Sequence, residues 1–91
     1  SNTLYVNSRI NFPLIVRHWE HGDRIQPLGM HRTKLLSDVF IDNKMDFFEK
    51  SNLPILICQS EIVCAGKYQL SEKFSVQPKD DSCFAINFAD E

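Results

Sequence analysis

The spacing of apolar positions changes along this chain, and each change predicts an element. From Pro13 to Trp19 (PLIVRHW), β-branched and aromatic residues predict a strand, and His21-Gly22-Asp23 beyond it predicts a chain reversal. A second reversal at Pro27-Leu28-Gly29 leaves residues 20–33 as a loop held at both ends by residues suited to turns, so a fixed conformation is expected. Beyond Thr33 the period lengthens. Leu35, Leu36, Val39 and Phe40 recur at helical spacing, with Lys34, Ser37, Asp38 and Asp42 on the other side. This predicts the main helix at about 34–43 with Thr33 as its N-cap, and a short second helix at about 46–51.

The run Pro54-Ile-Leu-Ile-Cys58 is separated by Gln59-Ser60-Glu61 from Ile62-Val-Cys-Ala65, which predicts two buried strands joined as a hairpin. Further strands are expected at Lys73–Val76 and Cys83–Phe88, with Lys79-Asp80-Asp81-Ser82 as the connecting turn. The fold class that follows is α+β, a compact sheet-rich domain with a mixed β-sheet or small sandwich. No repeat, low-complexity segment or internal linker divides residues 1–91, so one domain is expected.

Composition supports a folded core without staples: seven Phe, two Tyr and one Trp supply large apolar surface for so short a chain. The formal net charge is −2, yet Asp80, Asp81, Asp90 and Glu91 account for four acidic charges, so residues 1–79 carry −2 minus −4, or +2. Between Arg9 and Lys34 the cations Arg9, Arg17, Arg24, Arg32 and Lys34 face only Glu20 and Asp23. That is a modest polyanion signal, and from charge alone a solvated mixed-charge surface is the commoner explanation. No apolar run reaches the roughly 18 residues of a membrane helix. With three cysteines, two of them inside apolar runs, the residues point to reduced thiols and a cytoplasmic setting.

Recognisable catalytic chemistry does not emerge from the spacing. Cys58 and Cys64 lie within a predicted hairpin and there is no C-x-x-C, so a structural zinc site is not expected. His18, His21 and His31 cluster with Glu20 and Asp23, but surface histidines beside a turn are the commoner explanation. Phosphate loops, nucleophile elbows and dinucleotide fingerprints are absent, and three glycines leave little material for one. Lys34 at a helix start faces the positive end of the helix dipole, an unfavourable placement that a shared phosphate would relieve. The i,i+4 pair Lys34 and Asp38 offsets part of that cost.

The continuous string from His18 to Lys44, HWEHGDRIQPLGMHRTKLLSDVFIDNK, resembles the C-terminal domain of tRNA(Ile)-lysidine synthetases. The matching features are Arg17 and Trp19, Gly22-Asp23-Arg24, Pro27-Leu28-Gly29-Met30, Lys34, Leu36-Ser37-Asp38, Phe40-Ile41-Asp42 and Lys44. A looser likeness continues through Pro54, Glu61-Ile62-Val63, Gly66 and Glu72 to Phe74, so that it covers about residues 14–76. The resemblance implies a tRNA-binding domain acting along the acceptor stem of tRNA(Ile), attached to a parent catalytic domain. That parent uses ATP to join lysine to the wobble cytidine of the isoleucine tRNA that reads AUA. The ATP loop of the family, Ser-Gly-Gly-x-Asp-Ser, does not occur in these residues, so no cofactor and no catalytic residue are expected here.

The chain departs from the family pattern where Arg32 replaces a glycine, Leu35 replaces a second lysine, Met45-Asp46-Phe47 follows Lys44, and Lys67-Tyr68 stands near an arginine position. The expected RNA-facing cations are Arg17, Arg24, Arg32, Lys34 and Lys44. For Arg17 and Arg24 the competing role is pairing with Glu20 or Asp23 to fix the loop; for Lys44 it is solvation of a helix end. Trp19 is expected in the core and stays outside the binding set. The alternative function is a protein-interaction or dimerisation module of a cytoplasmic enzyme, using an open sheet edge or the pair Phe47-Phe48.

Overall fold

A computed structural model of the chain describes residues 2–89. Its centre is a four-stranded antiparallel sheet of order β2-β5-β6-β7, formed by Ile15–Arg17, Ile55–Cys58, Glu61–Ala65 and Gln69–Leu70. Two smaller antiparallel pairs complete the β structure. Strands β1 (Thr3–Asn7) and β8 (Cys83–Asn87) form a terminal ribbon, and β3 (Arg24–Ile25) pairs with β4 (Lys34–Leu35) across the long loop. Helices α1 (Leu36–Asp42) and α2 (Phe47–Asn52) lie between β4 and β5. The α+β class expected from the sequence is what is observed, with every strand pairing antiparallel.

All four residues of β5 are buried because apolar layers cover both faces of the central sheet. Ile55 and Ile57 face a cluster with Ile25, Leu36, Val39, Phe40 and Leu53, whereas Leu56 and Cys58 face Val6, Ile10 and Phe74. Strand β6 should alternate in the same way, yet Val63 and Cys64 enter the same cluster. The cause is a bulge: Leu56 opposes Cys64 and Ile57 opposes Ile62, so Val63 is an extra residue that resets the alternation. Burial pushes the Cys64 thiol up to about 12, which keeps it neutral and unreactive. Cys58 is buried as well, Cys83 is exposed on β8, and all three are free thiols.

Between β5 and β6 the chain reverses through only two residues, Gln59 and Ser60, with φ of 49° and 70°. Two successive left-handed residues match the right-handed twist of the flanking strands, which is why such turns usually carry Asn-Gly. Here neither residue is glycine, at a conformational cost of about 1 kcal/mol or more for each. Gly66, at φ 49°, is required for a second reason: a Cβ there would stand 2.4 Å from Leu53 Cδ1.

The main helix begins two residues later than its periodicity predicts. Lys34 and Leu35 pair with Ile25 and Arg24 as β4, so sheet pairing overrides the helical spacing that Leu35 shared with Leu36, Val39 and Phe40. Thr33 is therefore not the N-cap; Leu35 occupies that position and supplies no side-chain cap. The Leu36 N–H instead donates to the Asp23 carbonyl at 2.9 Å, fastening the helix start to the loop. Lys34 consequently pairs with Asp42 rather than with Asp38. At the other end Lys44, φ 56°, closes the helix: its N–H donates to Ile41 O and that of Met45 to Phe40 O, the paired bonds of a Schellman cap.

Helix α2 lies where the second helix was expected and is fixed by a capping box, in which Asp46 accepts from the Glu49 N–H and Glu49 from that of Asp46. The strand expected at Lys73–Val76 is replaced by a 3-10 helix at Glu72–Phe74, capped by Ser71, with Phe74 alone of the three buried. A strand at Cys83–Phe88 is present as β8, and its partner β1 has no counterpart among the sequence expectations. Among the described residues no helix is long and apolar enough to cross a membrane.

Candidate nucleic-acid interface

The loop that carries the family-like motif is rigid by construction from two similar turns. Asp23 N–H donates to Glu20 O with Gly22 at φ 91°, and Met30 N–H donates to Pro27 O with Gly29 at φ 77°, both the type II arrangement with glycine third. Arg17, at the end of β2, grips the first turn. Its guanidinium makes two parallel bonds to the Asp23 carboxylate at 2.9 and 3.0 Å and a third to the His18 carbonyl. Burial pulls the Asp23 carboxyl upward, but Arg17 and the Glu20 N–H outweigh it and hold the group below its ordinary value. The Asp23 hydrogen bond in turn raises Arg17. The charge of Arg17 is thus committed to the loop.

Arg24 is placed differently. Its Nε donates to Thr33 Oγ1 at 2.9 Å and one terminal nitrogen reaches the Thr33 carbonyl at 3.3 Å, so neutral acceptors aim the group, and among the described residues it has no ion pair. Because Arg24 opposes Leu35 and Ile25 opposes Lys34, the period of two sends Arg24 and Lys34 to opposite faces of the β3–β4 ribbon. Lys34 is half-buried and paired with Asp42. Arg32 and Lys44 are exposed and have no ion pair or side-chain hydrogen bond among the described residues. The structure therefore brings Arg17 and Arg24 together and places Arg32, Lys34 and Lys44 elsewhere.

Arg17 and Arg24 share a cleft of about 300 Å³ with residues distant in sequence, including Ser60, Glu61, Ser71 and Lys73. Lys73 Nζ pairs with Glu61 at 2.6 Å, while Arg9 donates to the Lys73 carbonyl. Arg9 and Lys73 also line two neighbouring clefts, one of about 180 Å³ with Gln59 and one of about 400 Å³ with Lys79. Lys73 lines all three clefts. The expected RNA-facing set did not include Arg9, Lys73 or Lys79, although Arg9 belonged to the basic stretch that ends at Lys34. Lys73 was hidden by its assignment to a strand, and no local motif marks the other two.

The histidine cluster resolves into separate roles. His21 lies against the Trp19 ring at 4.9 Å, and Trp19 meets Phe40 edge-on at 5.5 Å with Lys50 above it at 5.2 Å. Trp19 is thus a half-buried extension of the core, in keeping with its exclusion from the binding set. Among the described residues no group of three or more His, Cys, Asp or Glu side chains is arranged to hold a metal ion.

The fold is that of a solved structure described as the TILS C-terminal domain, with a TM-score of 0.74 at 24% identity over 92% of this chain and 65% of that one. The chain belongs to the TilS substrate C-terminal domain family, whose model matches residues 14–87. It is 36% identical over 83 residues to a tRNA(Ile)-lysidine synthase of Caldanaerobacter subterraneus, covering 91% of this chain and 18% of that protein. A protein of the same name from Parabacteroides distasonis is 31% identical over 80 residues, 88% of this chain and 18% of that protein. The chain therefore spans less than a fifth of the length of these relatives.

Proposed function

We propose that the chain is the tRNA-binding domain of a tRNA(Ile)-lysidine synthase, engaging the acceptor stem of tRNA(Ile) while a separate catalytic domain uses ATP to attach lysine to the wobble cytidine. Its role is to select and hold the tRNA at a distance from the reacting base, and the domain itself is non-catalytic. The observation that carries this reading is the exposed guanidinium of Arg24, aimed by two hydrogen bonds to Thr33 at a cleft it shares with Lys73. A cation held in place by neutral acceptors, with no carboxylate paired to it among the described residues, is suited to a phosphate. The family membership supports the same reading.

The test is binding of an acceptor-stem RNA hairpin to the 91-residue chain across a salt series. Affinity should fall steeply with salt, and Arg24→Gln should weaken binding and reduce the log–log salt slope by about 0.7–0.9, the value for one lost phosphate contact. Absence of binding, or a salt-independent affinity unchanged by Arg24→Gln, overturns the reading. A second reading as an interaction module rests on Phe47 and Phe48, 77% and 75% exposed, and on edge strand β2, where Ile15 and Val16 are 58% and 64% exposed. Self-association that tracks protein concentration and is lost in Phe47→Ser/Phe48→Ser would favour it.

A further inference from the structure

The Gln59–Ser60 turn keeps two ordinary side chains where the backbone favours glycine or asparagine. Strain of this kind persists where the surrounding structure holds it, and it concentrates at functional positions. Both residues are exposed, and neither the Gln59 amide nor the Ser60 hydroxyl has a hydrogen-bond partner among the described residues. The tip stands between two clefts: Ser60 lines the one containing Arg24 and Lys73, and Gln59 lines the one containing Arg9 and Lys73. A rigid two-residue projection with free donors and acceptors is therefore flanked on each side by a cation.

We propose that this hairpin tip is a specificity-determining element that enters the shallow minor groove of an RNA duplex. Gln59 and Ser60 hydrogen-bond to 2′-hydroxyl groups and base edges there, while Arg24 and Arg9 grip the phosphates of the two bordering strands. An A-form duplex suits this arrangement because its wide minor groove displays the 2′-hydroxyls, which a DNA duplex lacks. The amide of Gln59 both donates and accepts, as does the hydroxyl of Ser60, so the pair can satisfy a 2′-hydroxyl in either sense. The inference rests on the RNA-binding reading above and adds the part of the domain that distinguishes RNA from other polyanions.

The experiment compares the 91-residue chain with Gln59→Gly/Ser60→Gly, which installs a sequence suited to this turn and removes both native side chains. Its thermal midpoint should be unchanged or raised, showing that the hairpin is intact. Affinity is measured for an RNA hairpin and for a DNA hairpin of the same sequence. Native protein should prefer RNA. The variant should lose roughly five- to tenfold in RNA affinity, as expected for one or two hydrogen bonds, with DNA affinity and the salt slope retained. An unchanged RNA-to-DNA ratio in a folded variant overturns the tip's role and leaves the RNA-binding reading standing. Failure of the native chain to bind RNA removes both.

Discussion

Among the described residues, three other than glycine adopt left-handed backbone, and they serve different ends. Gln59 and Ser60 turn a hairpin, whereas Lys44 occupies the position that ends α1, where glycine is the usual occupant. A side chain there costs about 1 kcal/mol, and nothing in its packing repays it, since Lys44 is exposed. Lys44→Gly should therefore raise stability by about 0.5–1 kcal/mol, an increase of roughly 3–6 °C in melting temperature for a domain of this size. Under the RNA-binding proposal the same variant should also bind an acceptor-stem hairpin more weakly with a shallower salt slope. A higher melting temperature with unaltered affinity would take Lys44 off the RNA surface and leave it as a helix end.

At the scale of elements, the loop between β2 and β3 is held chiefly by the Arg17–Asp23 ion pair at 2.9 Å, with Glu20 farther from the same guanidinium at 4.0 Å. The Asp23 carboxyl is 11% exposed and receives bonds from Arg17 and from the Glu20 N–H, which hold it below the value it has in the unfolded chain. A carboxylate with a depressed folded value stabilises the native state above its unfolded value, near pH 4, and that contribution vanishes as pH falls through the folded one. In urea titrations, native protein should exceed Asp23→Asn in stability at pH 7, and the gap should close as the pH is lowered below about 4. A gap that does not narrow as the pH falls below about 4 would mean that geometry alone, rather than charge, ties the loop.

Elements were legible in the sequence where local pattern and tertiary environment agree. The three-residue gap between apolar runs at 54–58 and 62–65 marked the β5–β6 hairpin, and Pro27-Leu28-Gly29 marked a turn whose glycine is at φ 77°. The helix start was misplaced because Leu35 fits the helical period, while its pairing with Arg24 is a contact across the loop that periodicity does not register. Lys73–Val76 resembled a strand by composition, but the Ser71 cap and the bond from Glu72 N–H to Gln26 O impose a 3-10 turn. The candidate site was half legible for the same reason. Arg17 and Arg24 sit in a motif with local spacing, but Lys73 and Ser60 reach their cleft, and Arg9 reaches Lys73, only through tertiary contacts.

Across the whole molecule, the terminal ribbon β1–β8 is attached to the rest by Val6, Leu4 and Ile86 packing on one face of the central sheet and by a single buried amide. Asn7 is 6% exposed, and its Nδ2 donates to the carbonyls of Lys73 and Ser75 at 3.0 and 3.1 Å while its Oδ1 accepts from the Arg9 N–H at 3.0 Å. One side chain thus joins the ribbon, the 3-10 turn and the segment carrying Arg9. Asn7→Ala leaves the buried Ser75 carbonyl and the part-buried Arg9 N–H without their partner and the Lys73 carbonyl with Arg9 as its remaining donor, which should cost about 1–3 kcal/mol. The consequence reaches the proposed interface, because Arg9 and Lys73 are positioned through the groups that Asn7 holds. Hydrogen exchange of Asn7→Ala should show lost protection across both β1 and β8, with β5 and β6 still protected, and RNA affinity should fall although no cation has been removed. Uniform loss of protection throughout the chain would instead mean that ribbon and sheet unfold as one cooperative unit. In that case Asn7 contributes to global stability and has no separate role in setting the spacing of the cations.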